Sequence, residues 1–254
     1  MNIKHDKWNA QHYKKHSQGQ FDRALKIIDQ LRLNGDETIL DVGCGDGRIT
    51  AEIAKRVPHG HLLGIDISQN MIDEAQKNFG NIENLTFQCV DLVKFSSDKK
   101  FDRAVSFATF HWIKDQEAAL KNIFNVLKPG GKLNLMMAFA YESPISAVFH
   151  DKKLKPLLQQ KEQIFFPQTI EGLEALLKIA GFKHGIVQLK TGTQTFASEE
   201  HLFNALFAWV PHATGLPLDK AREFTQDLIN SISAASMGKE LTWETKLLYA
   251  EGEK

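Results

Sequence analysis

Between residues 38 and 140, short apolar runs alternate with amphipathic helical patterns, and this rhythm restricts the fold more than anything else in the chain. The runs "TILDVG" (38–43), "HLLGIDI" (61–67), "NLTFQCV" (84–90), "FDRAVSF" (101–107) and "KLNLMMAFA" (132–140) read as buried strands. Between them "RITAEIAKRV" (48–57), "SQNMIDEAQKNF" (68–79) and "DQEAALKNIFNVL" (115–127) read as helices, with Ser68 as an N-cap and "KPGG" (128–131) as a stop. Strands apolar on both sides and regularly interrupted by helices imply a parallel sheet covered on both faces, an α/β doubly wound architecture. Upstream, residues 20–33 place Phe21, Leu25, Ile28 and Leu31 on one helical face. The alternation falters over residues 141–166. A helix "TIEGLEALLKIAGF" (169–182), a strand "HGIVQLK" (184–190), helices from Ser198 to about Ala235, and a half-wet strand "LTWETKLLYAEG" (241–252) follow. One domain over residues 1–254 is expected: an N-terminal helical segment over the ligand (1–36), a binding core (37–140), and cap insertions with the last helices and strands (141–254).

Charge narrows the partners. Lys+Arg 31 against Asp+Glu 31 leaves no basic field to hold a phosphate backbone, so nucleic acid is not expected. No apolar run is long enough to span a bilayer, and the polar N-terminal stretch has no signal-peptide core. Cys44 and Cys89 lack metal-ligand spacing and read as reduced thiols. A cytoplasmic protein without metal, monomeric or weakly dimeric, is the expectation.

The stretch "ILDVGCGDGRIT" (39–50) sits where the first strand passes into its helix, the carboxyl edge at which such sheets bind ligands. Gly43, Gly45 and Gly47 remove side chains there, and the helix start offers free N–H groups. A tight strand-to-helix turn would also explain the glycines. A dinucleotide fingerprint would need glycine at position 48, which is Arg48, and Asp41 and Asp46 would repel a pyrophosphate. Those acids suit a ligand with an ammonium end and a sulfonium centre, S-adenosylmethionine, leaving S-adenosylhomocysteine as product. Asp66 ends the second strand, where it can accept from ribose hydroxyls; Met71 can cover the adenine; Asp91 can accept from its amino group. Each acid alone also reads as a loop residue or helix cap.

The residues "LDVGCGDG", "GIDIS", "CVDL", "FDRAVSF" and "LKPGG" resemble the class I S-adenosylmethionine-dependent methyltransferases, strongly over about residues 37–140. The resemblance implies a seven-stranded, Rossmann-like sheet with an antiparallel last strand. It also implies Asp41 and Gly43 at the amino acid end of the cofactor, Asp66 with Ile67 at the ribose, and Asp91 with Leu92 at the adenine. After the fourth strand, "SFATFHWIKD" puts Phe107, His111 and Trp112 beside the methyl group, and resembles the trans-aconitate, malonyl-carrier-protein and juvenile-hormone-acid carboxyl methyltransferases. "YKKHSQGQFDRAL" resembles the last of these, which implies Tyr13 at the cofactor and Gln20 with Trp112 as neutral donors to a substrate carboxylate.

No arginine occurs between Arg103 and Arg222, whereas Phe149, Phe165, Phe166, Phe196, Phe203, Phe207 and Trp209 enrich that region. Extra carboxylates are commonly gripped by arginine, so the expected acceptor is a small, largely apolar acid. Lys152, Lys153 and Lys155 read as a solvated run. Four rivals remain: a trans-aconitate or malonyl-carrier-protein type substrate; a hydroxyl, nitrogen or carbon acceptor with His111 as base; a dinucleotide-dependent dehydrogenase; and a catalytically silent cofactor-binding regulatory or assembly protein.

Overall fold

The computed structural model describes residues 8–140, 165–236 and 241–254. Two helices lead in, α1 (Ala10–His16) and α2 (Gln18–Ile28). The core follows as β1 (Thr38–Val42), α3 (Arg48–Ala54), β2 (His61–Asp66), α4 (Gln69–Phe79), β3 (Leu85–Cys89), β4 (Phe101–Phe107), α5 (Gln116–Val126) and β5 (Leu127–Ala138). The rest is α6 (Ile170–Ala180), β6 (Lys183–Thr195), α7 (Glu199–Phe207), α8 (Val210–Thr214), α9 (Leu218–Ser236) and β7 (Thr242–Glu253). The seven strands form one sheet in the order β3-β2-β1-β4-β5-β7-β6. β1 to β5 pair in parallel, while β7 runs antiparallel between β5 and β6. This is the doubly wound sheet that the alternation implies.

Local chemistry sets the helix boundaries. Ser68 caps α4 by accepting the Met71 N–H, Asp115 caps α5 through Ala118, and Thr169 caps α6 through Gly172. Gly181 closes α6 in the left-handed region at φ 103°. One apolar cluster packs α5 and α6 on one sheet face around Phe110, Leu120, Ile123 and Leu133. A second packs α2 and α3 on the other face around Ile28, Ile39, Ile53 and Leu62. A third, around Leu202, Leu206, Val210 and Phe224, holds α7 to α9 together beside the carboxyl edge.

Two sequence expectations change. The first helical pattern, residues 20–33, ends at Ile28: Gln30 and Leu31 donate three residues back to Ile27 and Ile28, Arg32 turns left-handed at φ 49°, and Glu37 then takes the Asn34 and Gly35 N–H groups at 2.6 and 2.9 Å. "KPGG" does not separate α5 from its strand. The chain enters β5 directly at Leu127, and the four residues form a bulge inside it, with Phe101 opposite Leu127 but Arg103 opposite Lys132. The excursion at 141–164, with Phe149, Lys152, Lys153 and Lys155, lies outside the described residues.

Candidate active site

A cavity of about 530 Å³ opens at the carboxyl edge of the sheet, between the β1 and β4 ends, the N-terminal helices and the α7–α8 cap. A larger hollow of about 880 Å³ lies at the opposite edge, lined by mixed charges such as Asp102, Lys128 and Glu251. Parallel sheets bind ligands at the carboxyl edge, and only the smaller cavity touches the glycine loop.

Most of the sequence-designated residues meet in that cavity: Tyr13, Gln20, Gly43, Gly45, Asp66, Ile67, Met71, Phe107, His111 and Trp112 all line it. Asp41, Gly47, Asp91 and Leu92 do not. Asp41 lies behind the loop, fully enclosed, and accepts the Thr50 hydroxyl at 2.7 Å. Burial, then the neighbouring Asp66 charge, lifts its pKa to about 7. Asp91 caps the short turn at Leu92–Lys94 by accepting the Val93 N–H, and Leu92 is buried in the core.

The three glycines have three different reasons. All are left-handed, with φ of 71°, 55° and 79° at Gly43, Gly45 and Gly47. A Cβ on Gly43 would fall 2.1 Å from the Thr109 hydroxyl, and one on Gly47 would fall 2.8 Å from the Phe87 ring. Only Gly45 faces open space, with nothing within 4 Å of its would-be Cβ. Gly45 alone therefore offers bare backbone to a ligand. Its N–H donates to Asp66 Oδ2 at 3.0 Å, while Oδ1 accepts from Ser68 at 2.9 Å. At the α3 start the Arg48 N–H donates to Asp46 Oδ1 at 3.3 Å. Asp46 also pairs with the Arg48 guanidinium at 2.7 Å, which reaches Ser17 Oγ at 2.5 Å and lies 5.3 Å from the Phe21 ring centre. This clasp ties the α1–α2 junction to the loop. It uses up the charge of the residue whose identity argued against a dinucleotide.

The acceptor side is aromatic. Trp112 meets Trp8 edge-on at 5.9 Å, His212 at 4.9 Å and Phe165 at 5.2 Å, and Trp8 stacks on His212 at 4.4 Å. The His111 Nδ1 accepts the Ala138 backbone N–H at 3.2 Å, which leaves the ring proton on Nε2. Burial, reinforced by His212, lowers its pKa to about 3. His111 is thus a neutral donor. Gln116 steadies this segment by donating to the Phe110 and Phe166 carbonyls at 2.9 and 2.7 Å, and the Phe166 N–H returns to the His111 carbonyl.

Several wall residues escaped the sequence: Trp8, Arg23, Gln194 and His212. Arg23 left a trace, since it follows Gln20 by three residues on one helix. Gln194 reaches the site from the far end of β6 and had no local signal. Of the aromatic residues in the cap, Phe166, Phe196 and Trp209 line the cavity and Phe165 buttresses Trp112. Phe203 and Phe207 stack on each other instead, beneath Arg222.

Comparison with known proteins follows this geometry. Residues 39–131 match the family model described as "Methyltransferase domain". The chain is 29% identical to juvenile hormone acid O-methyltransferase of Bombyx mori over 244 residues, 88% of this chain and 86% of that protein. It is 31% identical to malonyl-[acyl-carrier protein] O-methyltransferase of Bacillus cereus over 70% of this chain and 66% of that one. Its fold matches Haemonchus contortus phosphoethanolamine N-methyltransferase 2, solved with S-adenosylhomocysteine, at a TM-score of 0.62 and 18% identity over 92% of this chain and 52% of that one. The chain is a class I S-adenosylmethionine-dependent methyltransferase. Bare backbone at Gly45, beside a strand-end carboxylate and an exposed Ile67, gives the methyltransferase a surface that fits an adenosyl ligand. Among the described residues no helix is long and apolar enough to cross a membrane.

Two predictions follow from the loop of this methyltransferase. Gly47→Ala, strained in φ and pressed on Phe87, costs roughly 2–4 kcal/mol of stability. Gly45→Ala costs only about 1–2 kcal/mol, yet weakens S-adenosylhomocysteine binding; thermal melts and calorimetry of both variants separate the two effects. For Asp41 the folded pKa lies above the unfolded 3.8, so the native state holds the extra proton and loses stability as pH rises toward about 7. Asp41→Asn therefore gains stability relative to wild type, by roughly 2–4 kcal/mol, between acidic and mildly alkaline buffer. Paired denaturant titrations across that range check the sign.

Proposed function

We propose that this methyltransferase esterifies the carboxylate of a small acid whose body is largely apolar. The reading rests on the His111 tautomer, because a ring whose Nδ1 accepts a backbone N–H and whose pKa is about 3 is a poor base. A hydroxyl or amine acceptor needs its proton removed, whereas a carboxylate arrives ionised. The relatives that methylate juvenile hormone acid and malonyl-carrier protein support the same class.

S-adenosylmethionine supplies a methyl carbon on a positively charged sulfur. In the proposed arrangement Asp66 binds the ribose hydroxyls through the lone pairs left on its two oxygens, Ile67 and Met71 cover the adenine, and Gly45 lets the nucleoside lie against the main chain. Tyr13 and Phe107 close around the amino acid end and the methyl group, with Asp41 in support behind the loop. Gln20, Trp112 and the His111 Nε2–H donate to the acceptor carboxylate and turn one oxygen toward the methyl carbon. With the cofactor bound, an O–CH₃ bond would form as its C–S bond broke, the electron pair would stay on sulfur, and the ionised acceptor would need no proton removed. Neutral donors orient the anion without the charge of a salt bridge that would weaken its attack. Such alignment supplies roughly 7–11 kcal/mol of the barrier. Phe196, Leu206, Trp209 and Leu247 provide an apolar wall for the body of the acid.

His111→Gln keeps an N–H donor and is expected to hold kcat within about tenfold, while His111→Ala and Trp112→Phe each lose about tenfold to a hundredfold. The kcat profile is expected to be flat between about pH 6 and 9. A limb near neutrality that disappears in His111→Gln would mark His111 as a base and defeat the proposal.

A further inference from the structure

Arg23 lines the cavity, yet neither the fold nor the proposed methyl transfer uses its charge. Its guanidinium offers five N–H donors. Nη1 donates to the neutral Gln194 amide at a long 3.3 Å, and the buried Nε has no partner. Among the described residues no carboxylate forms an ion pair with Arg23. Burial lowers its pKa, opposed by Tyr249, Tyr13 and then Asp22 on its own helix. Glu244, the other acid on this part of the wall, is 3.8 Å from Lys246. A desolvated cation without an anion is costly, and the cavity is where an anion can enter.

We propose that Arg23 forms an anion subsite for a second acidic group of the acceptor, distinct from the carboxylate that is methylated. This rests on the carboxyl-methylation reading and makes the substrate class a diacid, esterified at one end and carrying its second acidic group beside the apolar body. Tyr13, placed above at the cofactor's amino acid end, also neighbours Arg23, so the cofactor's own carboxylate is the competing ligand that the test separates. Its contacts with Gln194 on β6 and Tyr249 on β7 favour the acceptor side, since Gly45, Asp66, Ile67 and Met71 cluster at the β1 and β2 ends, with β4 and β5 between. Charge excludes the reacting carboxylate, which needs its electron density and has neutral donors of its own. Gln20 and Arg23 stand three residues apart on α2, roughly 4.5 Å along the axis, and both line the cavity, so one acceptor can reach both. The absence of arginine between Arg103 and Arg222 is therefore no bar to an acidic substrate, because the guanidinium comes from the N-terminal helix.

The test is calorimetric titration of the S-adenosylhomocysteine-loaded protein with linear dicarboxylic acids of graded length and with monocarboxylic acids of matching length. Wild type is expected to bind one diacid about tenfold to a hundredfold more tightly than its monoacid. Arg23→Gln is expected to erase that preference and Arg23→Lys to keep part of it, with S-adenosylhomocysteine binding alike in all three. Wild type without the preference, a preference surviving in Arg23→Gln, or a variant that loses the cofactor product instead would overturn the subsite. Turnover is read separately. An Arg23-dependent diacid that binds but is never methylated would uphold the subsite while rejecting carboxyl methylation.

Discussion

The left-handed passage through Gly43, Gly45 and Gly47 is the constraint on which the rest of the molecule depends. It lets the Gly43 and Cys44 N–H groups share the Ile65 carbonyl at 2.7 and 3.0 Å, so the end of β1 is fixed to the end of β2. It brings the Gly45 N–H onto Asp66, and seats Gly47 against Phe87 of β3. From the other side, Thr109 fills the space that a Cβ on Gly43 would take and donates to its carbonyl at 3.3 Å. Thr109 precedes His111 and Trp112 by two and three residues. One side chain therefore keys the turn proposed to bind the acceptor to the loop proposed to bind the cofactor. That coupling is what in-line transfer requires of a protein whose main task is alignment.

Much of the charge around the glycine loop is neutralised or fixed within the protein. Asp46 and Arg48 neutralise each other in a clasp that also holds Ser17 and the N-terminal helices. Asp41 is enclosed so fully that it titrates near neutrality, and Asp66 is fixed by two backbone donors. Around the proposed acceptor carboxylate stand an indole, an amide and an imidazole locked in one tautomer, all neutral. Arg23, Lys114, Glu244 and Lys246 also line the cavity, and Arg23 is held beside Gln194 of β6 and Tyr249 of β7.

The sheet was legible in the sequence because period and capping agree at each step. β1 to β4 and α3 to α5 fall where their apolar patterns put them, and Ser68 caps the helix it was expected to cap. "KPGG" misled because proline and glycine punctuate a bulge as readily as a turn, and the pairing of β5 with β4 and β7 carried the strand through it. That Gly43, Gly45, Asp66, Ile67 and Met71 share one cavity wall was foreseeable because they are near neighbours in sequence at successive strand ends. Asp41 and Asp91 share that position, but one turned inward to Thr50 and the other to its own turn. A carboxylate at a strand end can satisfy backbone, side chain or ligand, and sequence alone does not separate these fates. His111 was ambiguous for a related reason, since its role is set by a hydrogen bond from Ala138, a residue 27 positions away. Gln194 and His212 come from elements whose approach to the site only the folded sheet and cap determine.

The central claim is that methyl passes to a carboxylate oxygen held by neutral donors. It is tested most directly by following a labelled methyl group from S-adenosylmethionine into a mixture of small organic acids and exposing the product to mild base. The account predicts an ester, whose label is released as volatile methanol. A label that survives base on oxygen, nitrogen or carbon would contradict it.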